Sequence, residues 1–261
     1  VTDHPFITDN EIQTAATDEL TVASVIVISP SGSDTLGVGT FANPYKTLTK
    51  AFAVATALRP TIFMLPGEYA EAAMVVWPNI SGLSVIGMGD VSISNAGAGA
   101  AVIDVHPTYT ASTMSITLNG VNIAAEEQIG LRVDNAHMTK KLNIYLDGVS
   151  FEMDTSGDSV DVVDTVTTQA IRIYARNCSF EGLVHVTGGN AGERYRFTNC
   201  DFIGGLTTAT AVAYEVTLVG CTMLTSGITV DVANQLTNVG CVYRTDADPA
   251  VYTEFANAYA T

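Results

Sequence analysis

Apolar and polar residues alternate at period 2 in short segments between Met114 and Tyr243. Ile116-x-Leu118, Ile144-x-Leu146, Ile173-x-Ala175, Tyr195-x-Phe197 and Val216-x-Leu218 are the clearest. Helical repeats would need apolar stripes at 3.6 spacing, so this alternation predicts strands with one buried face. Each segment runs into a short motif. The copies are Gly120-Val121-Asn122-Ile123, Gly148-Val149-Ser150-Phe151, Asn177-Cys178-Ser179-Phe180, Asn199-Cys200-Asp201-Phe202, Gly220-Cys221-Thr222-Met223 and Gly240-Cys241-Val242-Tyr243. Their first residues lie 28, 29, 22, 21 and 20 positions apart. A strand, a turn and a buried pair recurring at this interval predict a solenoid.

Strands stacked in one direction, one rung per repeat, make a parallel β-helix with rungs ~4.8 Å apart. Gly and Asn suit the turn because both tolerate positive φ, and the Asn amide can also bond nearby backbone. Stacking then puts like on like. Val121, Val149, Cys178, Cys200, Cys221 and Cys241 form one interior file. Ile123, Phe151, Phe180, Phe202, Met223 and Tyr243 form the next. All four cysteines fall in a single column, which predicts buried free thiols; adjacent rungs are also within disulfide reach.

Upstream, Val25-Ile-Val-Ile28 reads as a strand, followed by a Gly/Ser/Asp-rich loop to Asn43. Apolar residues at 48, 51, 52, 55 and 58 predict a helix over about 47–58, capped by Thr47 or Thr49 and ended by Arg59-Pro60. Such a helix would cover the open end of the solenoid. Thr61 to Tyr69 is the first full rung, and Leu83–Ile86, Val91–Ile93 and Val102–Val105 continue the stack. Residues 1–24 read as an extended arm, 25–243 as the β-helix domain and 244–261 as a C-terminal cap or tail.

Ser29-Pro-Ser-Gly-Ser-Asp34, Gly39-Thr-Phe-Ala-Asn-Pro44-Tyr-Lys-Thr-Leu48, the helix and Leu65-Pro-Gly-Glu-Tyr69 together resemble the opening of right-handed parallel β-helix proteins, the pectin-lyase-like superfamily. This form of the opening is similar to those of phage tail and capsid-surface proteins and of bacterial surface proteins. The resemblance implies an all-β, right-handed parallel β-helix solenoid with an N-terminal capping helix. It implies little about activity, since the superfamily holds lyases, hydrolases, esterases and purely structural virion parts.

Charge narrows the partners. With 11 Lys+Arg against 27 Asp+Glu and a net charge of −16, the chain is a poor match for phosphate backbones or an anionic membrane surface. No apolar run approaches the ~20 residues of a membrane span. Val1 opens a polar segment, so no signal peptide is expected in the chain as it stands.

Candidate chemistry follows from the register. Positions one, three and five before each turn residue should face outward. They bring Tyr145, Asp147, Arg172, Tyr174, Arg176, Arg194 and Arg196 onto adjacent rungs, a basic and aromatic patch in an acidic protein. Cross-rung pairing of Asp147 with Arg176 and Arg194 with Glu215 would account for part of it. The remainder suits an acidic partner surface or a glycan, because Arg and Tyr dominate interface anchors. A lyase would need further carboxylates for Ca²⁺ beside the Arg, and a glycosidase a second carboxyl close to Asp147; the outward columns supply neither.

Asp154, Asp158, Asp161 and Asp164 lack the Asp-x-Asp-x-Asp-Gly order of a calcium loop and read as a solvated loop. His106, His137 and His185 fall far apart in the repeat register, with no Ser, Cys or Glu partner at useful spacing. No catalytic residue, metal or cofactor is expected. The expected function is a non-enzymatic virion structural protein, a phage capsid decoration or a tail, fibre or tail-spike subunit. It would form a homotrimer through Tyr252, Phe255 and Tyr259 and contact other virion proteins such as a capsid shell at the virion surface. The alternative is a carbohydrate-active (polysaccharide lyase- or hydrolase-like) or glycan-binding protein, secreted or on a cell surface.

Overall fold

Three sheets, all parallel, run the length of the molecule. The computed structural model describes residues 24–243 apart from 98–99, 109–112, 126–127, 135–139, 154–156, 164–169, 188–191, 210–214, 225–227 and 231–235. The sheets have nine, eight and seven strands, and from Thr61–Met64 onward each takes every third strand of the chain; Val25–Ile28 adds one more strand at the end of the nine-stranded sheet. One turn therefore visits the three sheets in order, as Leu142–Asp147, Ser150–Met153 and Asp158–Val163 do. The fold is a parallel β-helix.

The alternating segments form the nine-stranded sheet. In Met114–Asn119 the exposure alternates residue by residue, with Met114, Ile116 and Leu118 buried. The next rungs repeat this in register, Ile144 opposite Ile116 and Ile173 opposite Ile144. The six motif-opening residues all take left-handed backbone. Gly120, Gly148, Gly220 and Gly240 have φ of 61°, 61°, 61° and 65°, and Asn177 and Asn199 have φ of 54° and 51°. This corner needs residues that accept αL, which is why only Gly and Asn occur there.

Beyond the corner the two expected files point inward. Val121, Val149, Cys178, Cys200 and Cys221 are buried, as are Ile123, Phe151, Phe180, Phe202 and Met223. Phe151, Phe180 and Phe202 stack at centroid distances of 5.3 and 5.1 Å. Phe197, from the neighbouring sheet, meets Phe180 and Phe202 edge-on. All four thiols are free. The Cys200 thiol is pushed up to about 12, chiefly by its hydrogen bond with Cys178, so it is inert at neutral pH.

The opening motifs build the N-terminal end. Helix Leu48–Val54 buries Leu48, Ala51 and Phe52, and Phe52 meets Trp77 at 5.0 Å. It touches Val25–Ile28, Gly67–Glu71 and Val75–Val76, the strands that terminate the three sheets at this end. The Thr47 hydroxyl caps it by accepting from the Lys50 N–H at 3.0 Å. A second cap comes from far along the chain: the Glu71 carboxylate accepts from the Leu48 N–H at 2.6 Å and the Thr49 hydroxyl at 2.7 Å. In Leu65-Pro-Gly-Glu-Tyr69, Gly67 has φ +135° and lies so close to Pro30 that a Cβ would sit 2.7 Å from its ring. The buried Tyr69 hydroxyl reaches the carbonyl oxygens of Ile28 and Leu65.

The helix is shorter than its apolar pattern predicts. Ala55 is already extended, and Thr56 pairs with Arg59 in an isolated bridge. Leu58, counted on the apolar stripe, is 83% exposed. Among the described residues no helix is long and apolar enough to cross a membrane. The arm (residues 1–24) apart from Ser24, and the tail with Tyr252, Phe255 and Tyr259, lie outside the described residues.

Candidate functional site

The outer face of the nine-stranded sheet carries the patch that the register predicts. Asn143, Tyr145 and Asp147 lie opposite Arg172, Tyr174 and Arg176 on the next rung. Arg172 and Tyr174 in turn lie opposite Arg194 and Arg196. Tyr145 and Tyr174 stack with centroids 5.2 Å apart and planes 13° from parallel. Thr117, Asn119, Tyr145, Asp147, Tyr174 and Arg196 border a shallow groove over these rungs.

Both carboxylates on this part of the face are engaged. Asp147 accepts from Arg176 through both oxygens, the Nε contact being 3.0 Å, and from the Asn177 amide at 3.3 Å. The Arg176 hydrogen bond holds the Asp147 carboxyl below its ordinary pKa. Arg194 Nε lies 3.1 Å from Glu215 Oε2. Arg172 and Arg196 form no ion pair among the described residues. The face thus offers two unpaired guanidinium groups beside an aromatic step, and no free pair of carboxyls.

A second charged face lies on the seven-stranded sheet. Asp104, Arg132, Asp161 and His185 stack on four successive rungs. His106 Nδ1 lies 3.3 Å from Asp134 Oδ2, and Arg132 Nη2 lies 3.5 Å from the same oxygen. His185 Nδ1 lies 3.7 Å from Asp158 Oδ2 and 3.6 Å from Asp161 Oδ1. Burial pushes the carboxyls of Asp104, Asp158 and Asp161 above their ordinary pKa, only partly offset by the nearby cationic groups. Asp104 is 5% exposed, and its Oδ1 is buried without a hydrogen-bond partner.

One sequence expectation is corrected here. Asp158 and Asp161 are not in a solvated loop but in strand Asp158–Val163; Asp154 and Asp164 lie outside the described residues. His106 and His185 face aspartates, a residue type outside the Ser, Cys and Glu partners weighed from spacing. The interval between the buried pair and the next strand varies from rung to rung, so the third sheet has no fixed offset from the motif. The cue that was present is the apolar pattern Val160-x-Val162 beside Val184-x-Val186, which marks two inward-facing strands and fixes which neighbours face out. His137 lies outside the described residues.

Three parallel sheets wound about one apolar core, with a basic aromatic flank and an acidic flank, define a parallel β-helix solenoid whose outer faces are free to carry recognition chemistry. The chain belongs to the DUF1565 family, described as a protein of unknown function, which matches residues 30–239. No curated protein matches it.

Proposed function

We propose that this chain is a non-enzymatic structural β-helix of a virion surface, a capsid decoration or a tail or fibre subunit of the pectin-lyase-like type, and that the Tyr/Arg face is its attachment surface. The observation that carries this reading is the pairing on that face. Asp147 and Glu215 are neutralised by Arg176 and Arg194. Tyr145, Tyr174, Arg172 and Arg196 remain to contact a partner. Such a surface suits an acidic protein shell, since Arg and Tyr anchor interfaces and a guanidinium pairs carboxylates bidentately. A homotrimer is the assembly we propose, because closed rings satisfy the flanks of identical solenoids without open-ended growth.

Quantitative mass spectrometry of purified particles from the source that encodes the chain tests this. The expected result is the chain at a fixed copy number divisible by three. Particles without it would sink the reading. So would full rebinding, to particles stripped of the native copy, of an Arg172→Glu/Arg196→Glu variant that keeps its fold.

One feature favours a second reading. The near-parallel, half-exposed Tyr145–Tyr174 step is the kind of platform on which sugar rings lie. Retention on an acidic-polysaccharide column that is lost in Tyr145→Ala/Tyr174→Ala supports glycan binding. Release of reducing ends or unsaturated uronates from the same polysaccharide moves the assignment to an enzyme.

A further inference from the structure

We propose that Asp158, Asp161 and His185 form a three-ligand site for a divalent transition-metal ion of the zinc class, with a remaining coordination position open to solvent. Side chains three residues apart on a regular strand point to opposite faces. Here the pairing register shifts between Asp158 and Val160, so that Ser159 and Val160 both turn inward and Asp158 and Asp161 both turn outward. Bulges of this kind re-aim side chains. This one is anchored: the buried Ser159 hydroxyl accepts the Gly182 N–H at 2.8 Å. A Cβ at position 182 would lie 2.2 Å from the Gly157 oxygen and 2.8 Å from the Ser159 nitrogen, so the chain passes there only as glycine.

On the next rung Asp161 lies opposite His185, whose Nδ1 faces both carboxylates. The three ligand atoms lie within 4.8 Å of one another. The His–Asp separations of 3.6 and 3.7 Å are too long for N–H···O hydrogen bonds, which run ~2.7–3.2 Å. They are close to the ~3.3–3.6 Å edge of a tetrahedron with metal–ligand bonds of about 2.0–2.2 Å. A mixed imidazole and carboxylate set favours zinc-class ions over calcium or magnesium, which take oxygen ligands. The ligands are partly screened but reachable, with side-chain exposures of 27%, 15% and 30%. Burial has already removed part of the carboxylates' water, which a cation would replace. The other charges around the site are Arg132 on the preceding rung, drawn toward Asp134, and Asp104 and His106 beyond it.

The test uses the tag-free chain, stripped with a chelator and titrated with ZnCl₂ by calorimetry and CoCl₂ by visible absorption. One equivalent of each should bind, with a cobalt spectrum of low coordination number and a higher melting temperature that the chelator reverses. Asp161→Asn and His185→Ala should abolish both signals while keeping the far-ultraviolet spectrum; Glu68→Gln, on another sheet, should bind as the parent does. Zinc must also move the His185 ring signals in the NMR spectrum of the parent chain, which gives an answer even if a variant fails to fold. No saturable binding, an unmoved His185, or wild-type affinity in folded His185→Ala overturns the proposal. Calcium binding as tight as zinc, and indifferent to His185, does so as well.

Discussion

The two charged flanks ride on the same core and handle charge in opposite ways. On the nine-stranded sheet the five strands from Met114–Asn119 to Glu215–Val219 keep strict alternation, so outward side chains meet register partners across one rung spacing. Asp147 finds Arg176 and Glu215 finds Arg194, in places water still reaches. On the seven-stranded sheet a bulge turns two aspartates to the same side, and the surrounding structure half covers them. One flank lowers a carboxyl pKa by supplying a partner; the other raises several by removing water. Regular register disperses charge, and a local irregularity concentrates it.

The largest expected effect tests the core that both flanks share. Phe180→Ala removes a ring stacked between Phe151 and Phe202 and should cost about 3–5 kcal/mol by denaturant unfolding. Tyr174→Ala, facing outward on the same rung, should cost far less. Equal losses would mean that inside and outside are not divided as described.

Next comes the irregularity itself. Gly182→Ala forces a methyl group into backbone and should cost about 1–3 kcal/mol while disturbing the bulge that aligns Asp158 and Asp161. Gly148→Asn should leave the unfolding midpoint nearly unchanged, because Asn177 holds the same left-handed corner one rung on. If the two substitutions behave alike, the bulge is not held by close contact at Gly182.

Acidity should separate the flanks by sign. A raised carboxyl pKa means that the native state holds protons the unfolded chain releases, so stability falls as pH rises from the ordinary value through the raised one. Asp161→Asn removes that penalty. In chelator it should melt higher than the parent at neutral pH, with the gain fading as pH falls below about 4. The lowered pKa of Asp147 works the other way: its stabilisation is present above about 4 and is lost as pH falls through the depressed value. Asp147→Asn should therefore melt lower than the parent at neutral pH and converge with it in strong acid. Melting curves from pH 2 to 8, taken roughly one unit apart, read both trends; two shifts of the same sign would contradict the contrast.

The smallest effect is the aromatic step. A double-mutant cycle on Tyr145 and Tyr174 should give a coupling of about 0.2–1 kcal/mol, the ordinary value for a cross-strand pair. A coupling near zero would mean that the rings are held apart in solution and offer no platform.

The parallel β-helix was legible in the sequence because its signals are local. Period-2 alternation names the buried side of the strands in the nine-stranded sheet, and a Gly or Asn at the same corner of six successive rungs marks where the backbone must turn left-handed. Those two rules sufficed to place Tyr145, Tyr174, Asp147 and Arg176 on one face with the ion pairs they form. Tertiary structure decided what depends on distance along the chain. The Glu71 cap on the helix at Leu48 joins elements whose contact no spacing rule forecasts, and Leu58 fits the helical stripe yet lies in solvent because the chain pairs Thr56 with Arg59 instead. His185 meets Asp158 and Asp161 only because an inserted residue shifts one strand against the next. Alternation is set within a strand, whereas register across a bulge is set by which backbone groups and side chains can pack between neighbouring rungs.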